Sequence, residues 1–187
     1  MTNVEKFRPG SAIASGWVLI VFFVGFIIQS LFYGGDILVT IGICGAGAFG
    51  SYLLFLKPYV LLFDEGIKIV NPTKEITATW DLVEEIETKY SMSIQIKDRT
   101  YYAWAAPAPS GRHSRRMNKT DLLPGADSPR RVGDSLQSDS GVCAYMANIR
   151  RKKFTGTGAS EFEVISDNTA LYIFAALILI GAAASFF

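Results

Sequence analysis

Phe63–Ile86 reads FDEGIKIVNPTKEITATWDLVEEI. Turn formers interrupt it twice, at Asp64-Glu65-Gly66 and at Asn71-Pro72-Thr73-Lys74. Between Glu75 and Trp80 the residues alternate. Ile76, Ala78 and Trp80 fall on one face of a strand, and Glu75, Thr77 and Thr79 on the other. A period of two is the signature of a half-buried antiparallel sheet. The pattern continues on both sides. Tyr59 to Phe63 and Ile67 to Val70 are short apolar strands, and Val83 to Tyr90 is a further one. Met92, Ile94 and Ile96 then alternate with Ser93, Gln95 and Lys97. Asp98-Arg99 is expected to turn the chain into a last strand from Thr100 to Ala105. Short strands at this spacing predict an antiparallel meander that curls on itself. Trp80 and Ile94 should face its interior, and Gly66 should supply a positive φ in the first turn.

Upstream the chemistry changes. Trp17 to Phe32 (WVLIVFFVGFIIQSLF) has no charge and one interior amide, Gln29; Ile37 to Leu56 (ILVTIGICGAGAFGSYLLFL) has no charge at all. Both approach the ~20 apolar residues that cross a bilayer. Tyr33-Gly34-Gly35-Asp36 joins them tightly, so residues 15–57 are expected to form a transmembrane helical hairpin. No small-residue cleavage site separates the two runs, which argues against a removed signal peptide. Gly42, Gly45, Gly47 and Gly50 give the second span a small face. Such a face suits packing within the chain or dimerisation into a homo-oligomer. A third apolar run, Thr169 to Phe187, is expected to be a further transmembrane helix.

The loop between the first two runs carries no Lys or Arg, whereas Lys6, Arg8, Lys57 and Arg150-Arg151-Lys152-Lys153 lie outside them. Positive charge stays inside. The N-terminal segment 1–14 and the domain 58–154 are therefore expected in the cytoplasm of a multi-pass cell (inner) membrane protein. The C-terminus is expected outside. Glu161, Glu163 and Asp167, nearest the third run, oppose this locally.

After Ala105 the sequence fills with Pro, Gly and basic residues, so residues 107–135 are expected to be a long, disordered basic loop. Ser138 or Asp139 can cap a helix in which Val142, Met146 and Ile149 share one face. Arg150 to Lys153 suits the negative end of its dipole. Residues 155–168 are then a linker to the third run. The fold class is α+β: a helical hairpin, a small antiparallel sheet or barrel with one amphipathic helix after it, and a final apolar helix.

This order resembles the bacterial pleckstrin-homology-like domains. The residues that carry the resemblance are Val70-Asn71-Pro72 in the second turn, Ile76…Trp80-Asp81-Leu82-Val83…Ile86 after it, and Ala103-Trp104-Ala105-Ala106-Pro107-Ala108-Pro109 at the close of the sheet. It is similar in particular to the small membrane proteins related to low molecular weight protein antigen six of actinobacteria. It spans roughly residues 15–153. The resemblance implies a PH-like fold beside a transmembrane hairpin, in a membrane, and no established activity.

The net charge of +1 hides a separation. Residues 58–98 hold four Lys/Arg against eight Asp/Glu, a balance of −4; residues 99–153 hold eleven against four, a balance of +7. Arg112, Arg115, Arg116, Lys119, Arg130 and Arg131 in the long loop are candidates for contact with anionic lipid. The Asp64-Glu65 turn would instead repel a phosphate. Cys44 and Cys143 lie apart and His113 is the single histidine, so metal and nucleophile motifs are missing. Asp81, Glu84, Glu85 and Glu87 are better explained as a solvated face than as metal ligands. Gly156-Thr157-Gly158 lacks the lysine and the preceding strand of a phosphate loop, so no cofactor is implied. Nucleic acid is excluded by the lack of aromatic interleaving. The expectation is a non-enzymatic membrane protein that displays a PH-like interaction or scaffold module. The alternative is an accessory subunit of a transport or envelope-assembly complex.

Overall fold

The alternation around Trp80 becomes sheet. A computed structural model describes residues 2–109, 135–156 and 160–186. The chain divides into two compact units, Met1–Pro9 with Tyr59–Ile165, and Gly10–Pro58 with Ser166–Phe187.

The first unit is antiparallel sheet. Strands β1 (Glu5–Phe7), β2 (Tyr59–Leu62), β3 (Gly66–Val70), β4 (Lys74–Thr79) and β8 (Phe162–Ser166) form one five-stranded sheet in the order β1-β2-β3-β4-β8. Strands β5 (Glu85–Glu87), β6 (Ser91–Ile96) and β7 (Arg99–Pro107) form a second sheet, with a register shift between Ser91 and Ser93. A 3-10 turn at Trp80–Leu82 carries the chain from one to the other. The side chains expected inside are inside. Ile76, Ala78, Trp80, Met92, Ile94 and Ile96 are buried in one core with Val60, Leu62, Ile67 and Ile69.

The sheets do not close into a barrel. Where a neighbouring strand would continue β7, the Asn71 side chain stands instead. Its Nδ2 donates to the Tyr102 carbonyl and its Oδ1 accepts the Trp104 N–H, both at 2.8 Å. One amide thus takes up a donor and an acceptor of that edge.

Four expectations are corrected. Gly66 has no positive φ. It is needed for space, because a Cβ there would stand 2.3 Å from the Ala78 carbonyl oxygen. The β6–β7 turn lies one residue earlier than expected: Ile96 pairs with Arg99, and Lys97 takes the left-handed conformation at φ 53°. The helix α3 (Asp139–Lys153), capped by Ser138 Oγ accepting the Gly141 N–H, turns another face to the core than expected. Ser140, Cys143, Ala144 and Ala147 are buried, and Val142, Met146 and Ile149 are half-buried flanks. Small side chains at i, i+3, i+4 and i+7 let the helix axis approach the sheets closely, which larger ones would prevent. Finally, the N-terminal segment and the linker both contain sheet. Glu5 pairs with Leu62 and Phe7 with Val60, and Phe162–Ser166 is β8.

The second unit is helical. Helix α1 (Gly10–Tyr33) and helix α2 (Ile37–Ser51), extended by a π-helical turn at Tyr52–Leu56, are, among the described residues, the two helices long and apolar enough to cross a membrane. At 1.5 Å per residue both reach the ~30 Å of a hydrocarbon core. Gly34, at φ 75°, ends α1, and the Asp36 carboxylate starts α2 by accepting the Leu38 and Val39 N–H groups. The third apolar run forms α4 (Thr169–Ala184), 16 residues or about 24 Å, shorter than a perpendicular span. It packs on α2 where Gly42 meets Gly181 backbone to backbone. Phe23 covers Gly47, Phe174 covers Gly50, and Thr40 donates to Ser30 Oγ at 3.1 Å. The glycine face of α2 is filled by this chain's own helices.

Candidate functional site

The six basic residues expected to touch lipid, Arg112, Arg115, Arg116, Lys119, Arg130 and Arg131, lie outside the described residues. Two basic residues at the end of α3 have internal work. Arg150 donates to the Asn3 carbonyl at 2.8 Å and pairs with Asp64 at 3.1 Å and Glu5 at 3.0 Å. Arg151 donates to the Glu84 carbonyl at 2.9 Å. Lys152 and Lys153 are exposed.

The Asp64-Glu65 turn is therefore a clasp. Its carboxylates hold the N-terminal residues: Glu65 accepts the Thr2 hydroxyl at 2.6 Å and the Thr2 backbone N–H at 3.0 Å. These bonds, the hydroxyl's first, hold the Glu65 carboxyl down at about 2. A lowered carboxyl pKa adds stability above its ordinary value of 4.5, and loses it as pH falls through about 2. We expect the Thr2 amide to lose hydrogen-exchange protection across that window, and Glu65→Gln to flatten this pH dependence. Protection that persisted below the window would contradict the clasp.

Two of the acidic residues after Trp80, Asp81 and Glu84, have local partners. Asp81 accepts from the Ser160 hydroxyl, the chief cause of its lowered pKa, and Glu84 accepts the Lys97 N–H at 3.2 Å. Among the described residues no three carboxylates, thiols or imidazoles converge to hold a metal. The Cys143 thiol is pushed up to about 12, first by burial and then by the nearby Asp139 charge. It is a small core side chain rather than a nucleophile.

The sheet edges differ in what protects them. An edge strand offers unpaired backbone groups, which proteins blunt by shortness, charge or cover. Strand β1 has three residues, and β5 has three, of which two are glutamates. Strand β7 is capped by Asn71. Strand β8 is longer than β1 or β5, carries a single charge, Glu163, and is uncovered among the described residues. Its five residues are all exposed, including Phe162 at 42%, Val164 at 39% and Ile165 at 46%. On the β4 side it is well held. Thr79 donates to the Glu161 carbonyl at 3.1 Å, Glu161 N–H returns to Thr79 Oγ1 at 3.2 Å, and Phe162 packs edge-on against Tyr101. Thr79 is the last residue of β4 and Glu161 immediately precedes β8, so β8 runs back along β4.

This edge escaped sequence reasoning, which took residues 155–168 as a linker. The signal was short: Phe162-Glu163-Val164-Ile165, between Gly156-Thr157-Gly158 and Asp167-Asn168, satisfies the rule for a strand bounded by turn residues. No family model matches this chain, and neither the curated proteins nor the solved structures contain a match to it.

Proposed function

We propose that this is an integral membrane protein whose sheet unit, a PH-like module on the cytoplasmic side, binds a partner rather than catalysing a reaction. The observation that carries the reading is the exposed edge at β8, with Phe162, Val164 and Ile165 on it and uncovered among the described residues, in a chain with two membrane-length helices. The pairing of β1 with β2 supports the topology. Chain that precedes α1 and chain that follows α2 share one sheet, as an even number of crossings requires. Helix α4 is held beside α2 by the glycine contact and belongs in the membrane with it. A catalytic reading has less support, because Asp81 and Glu84 serve local hydrogen bonds and Cys143 is buried and protonated.

The test is photo-crosslinking in intact membranes. A photoreactive amino acid replaces in turn Val164, Tyr145 on α3 and Trp104 on β7, all exposed. A module of this kind gives a discrete adduct from at least one position, with the protein resistant to alkaline extraction of the membrane. Extraction into the soluble fraction, or no adduct from any position, would refute it.

A further inference from the structure

The β8 edge is specific about what can add to it. Thr79 and Glu161 exchange hydrogen bonds, which in an antiparallel register sets Glu163 in the row of Thr77 and Lys68. Odd-numbered residues of β8 thus bond β4. By the alternation of an antiparallel ladder, the N–H and C=O groups of Phe162, Val164 and Ser166 turn to the open side. An added strand would bond there. Its side chains would lie alternately beside Phe162 and Val164 on one face and beside Glu161, Glu163 and Ile165 on the other.

The electrostatics choose among such strands. Ser160 to Asn168 contain Glu161, Glu163 and Asp167 and no Lys or Arg. Lys68, on which Glu163 acts, is already paired with Glu75 at 2.7 Å, and Lys57 acts on Asp167 at the far end of the segment. A second copy of β8 would bring Glu163 and Glu161 toward their own kind. A segment with lysine or arginine at alternate positions would pair with them, and β-branched or aromatic residues between would cover Phe162 and Val164.

We infer that the β8 edge takes, by strand addition, an extended segment of a partner protein in which basic and apolar residues alternate. The inference rests on the reading of the sheet unit as an interaction module and names the chemistry of its partner. Main-chain bonds supply the grip, and Glu163 supplies the preference for positive charge.

The full chain is placed in nanodiscs of zwitterionic lipid. The probe is a fluorescent peptide of alternating lysine and valine, followed by anisotropy. Two control peptides replace lysine by glutamate or carry N-methyl groups on alternate amides. We expect the lysine peptide to bind and neither control to do so. Glu163→Lys should weaken binding about tenfold, more than one exposed cross-strand pair because it replaces attraction with repulsion. Val164→Pro should abolish it. Proline is tolerated on an edge strand whose N–H faces outward, so the β4 ladder and the melting temperature should survive. Equal binding of lysine and glutamate peptides, or unchanged binding to Val164→Pro with its fold intact, overturns the inference. An adduct from Val164 in membranes, with no binding of the lysine peptide, overturns the basic preference and leaves the module standing. No adduct from any surface position removes the module itself.

Discussion

Gly42→Leu should separate α4 from α2. A Cβ at Gly42 would stand 2.3 Å from the Gly181 nitrogen, 2.4 Å from its Cα and 2.8 Å from the Leu177 carbonyl oxygen. All three are backbone atoms, so no rotamer change relieves the clash and a whole helix must move. In a bilayer no hydrophobic force pushes helices back together, because lipid is as apolar as leucine. Overpacking of this kind costs about 3 kcal/mol. Gly25→Leu on α1 is the control, since nothing lies within 4 Å of a Cβ there. Spin labels on α2 at Leu38 and on α4 at Leu179, both exposed, would report the separation, with Cys44 and Cys143 replaced by serine. The distance distribution should be narrow in the parent and in Gly25→Leu, and longer or broad in Gly42→Leu. Identical distributions in all three would mean that the glycine contact does not hold α4.

The glycine contact was half legible in the sequence, because the glycines of α2 advertise close packing, within the chain or in a homo-oligomer. The strands β2 to β7 were legible for a related reason. β4 buries one face, so its residues alternate, and Ile76, Ala78 and Trp80 needed no partner to be recognised, whereas β2 and β3 were marked by short apolar runs between turn formers. The missed strands lack this mark. β1 is three residues long, and every residue of β8 is exposed, so burial imposes no period on either. They are edge strands, placed by backbone pairing with β2 and β4, and pairing leaves little trace in side-chain type. The helix face was misjudged because size was equated with burial. At α3 the close approach selected Ser140, Ala144 and Ala147 instead. The candidate site was illegible for the same reason as β8. Charge drew attention to Arg112–Arg131, whereas the open edge is a property of backbone groups, which composition does not register. Arg150 shows the limit of counting charge: it has three partners from the N-terminal strand and the β2–β3 turn.

Trp80→Ala should be the most destabilising single change in the sheet unit. The indole is 2% exposed at the point where the chain leaves β4 for the second sheet. It lies in one core with Ile67, Ile76 and Val83. Its Nε1–H donates to the Phe63 carbonyl at 3.0 Å, a buried bond across the first turn. Removing the ring leaves a cavity in a close-packed core, which costs about 3–5 kcal/mol, and leaves that carbonyl with the Gly66 N–H as its remaining donor. Trp80→Phe separates the two effects: it refills most of the volume, so its cost, about 0.5–1.5 kcal/mol, is mainly the lost hydrogen bond. Trp104→Ala is the contrasting change. That ring is 55% exposed, and Asn71 holds the backbone beside it by the N–H rather than the side chain. Its loss should cost within about 1 kcal/mol. The measurement is thermal unfolding of the full chain in detergent micelles, followed by near-ultraviolet circular dichroism. The full chain is required because β1 and β8 complete the sheet, and a fragment of residues 58–154 would lack both edges. The expected order of melting temperatures is parent, Trp104→Ala, Trp80→Phe, Trp80→Ala. If Trp80→Ala melted with the parent, the register that points Ile76, Ala78 and Trp80 inward would be wrong.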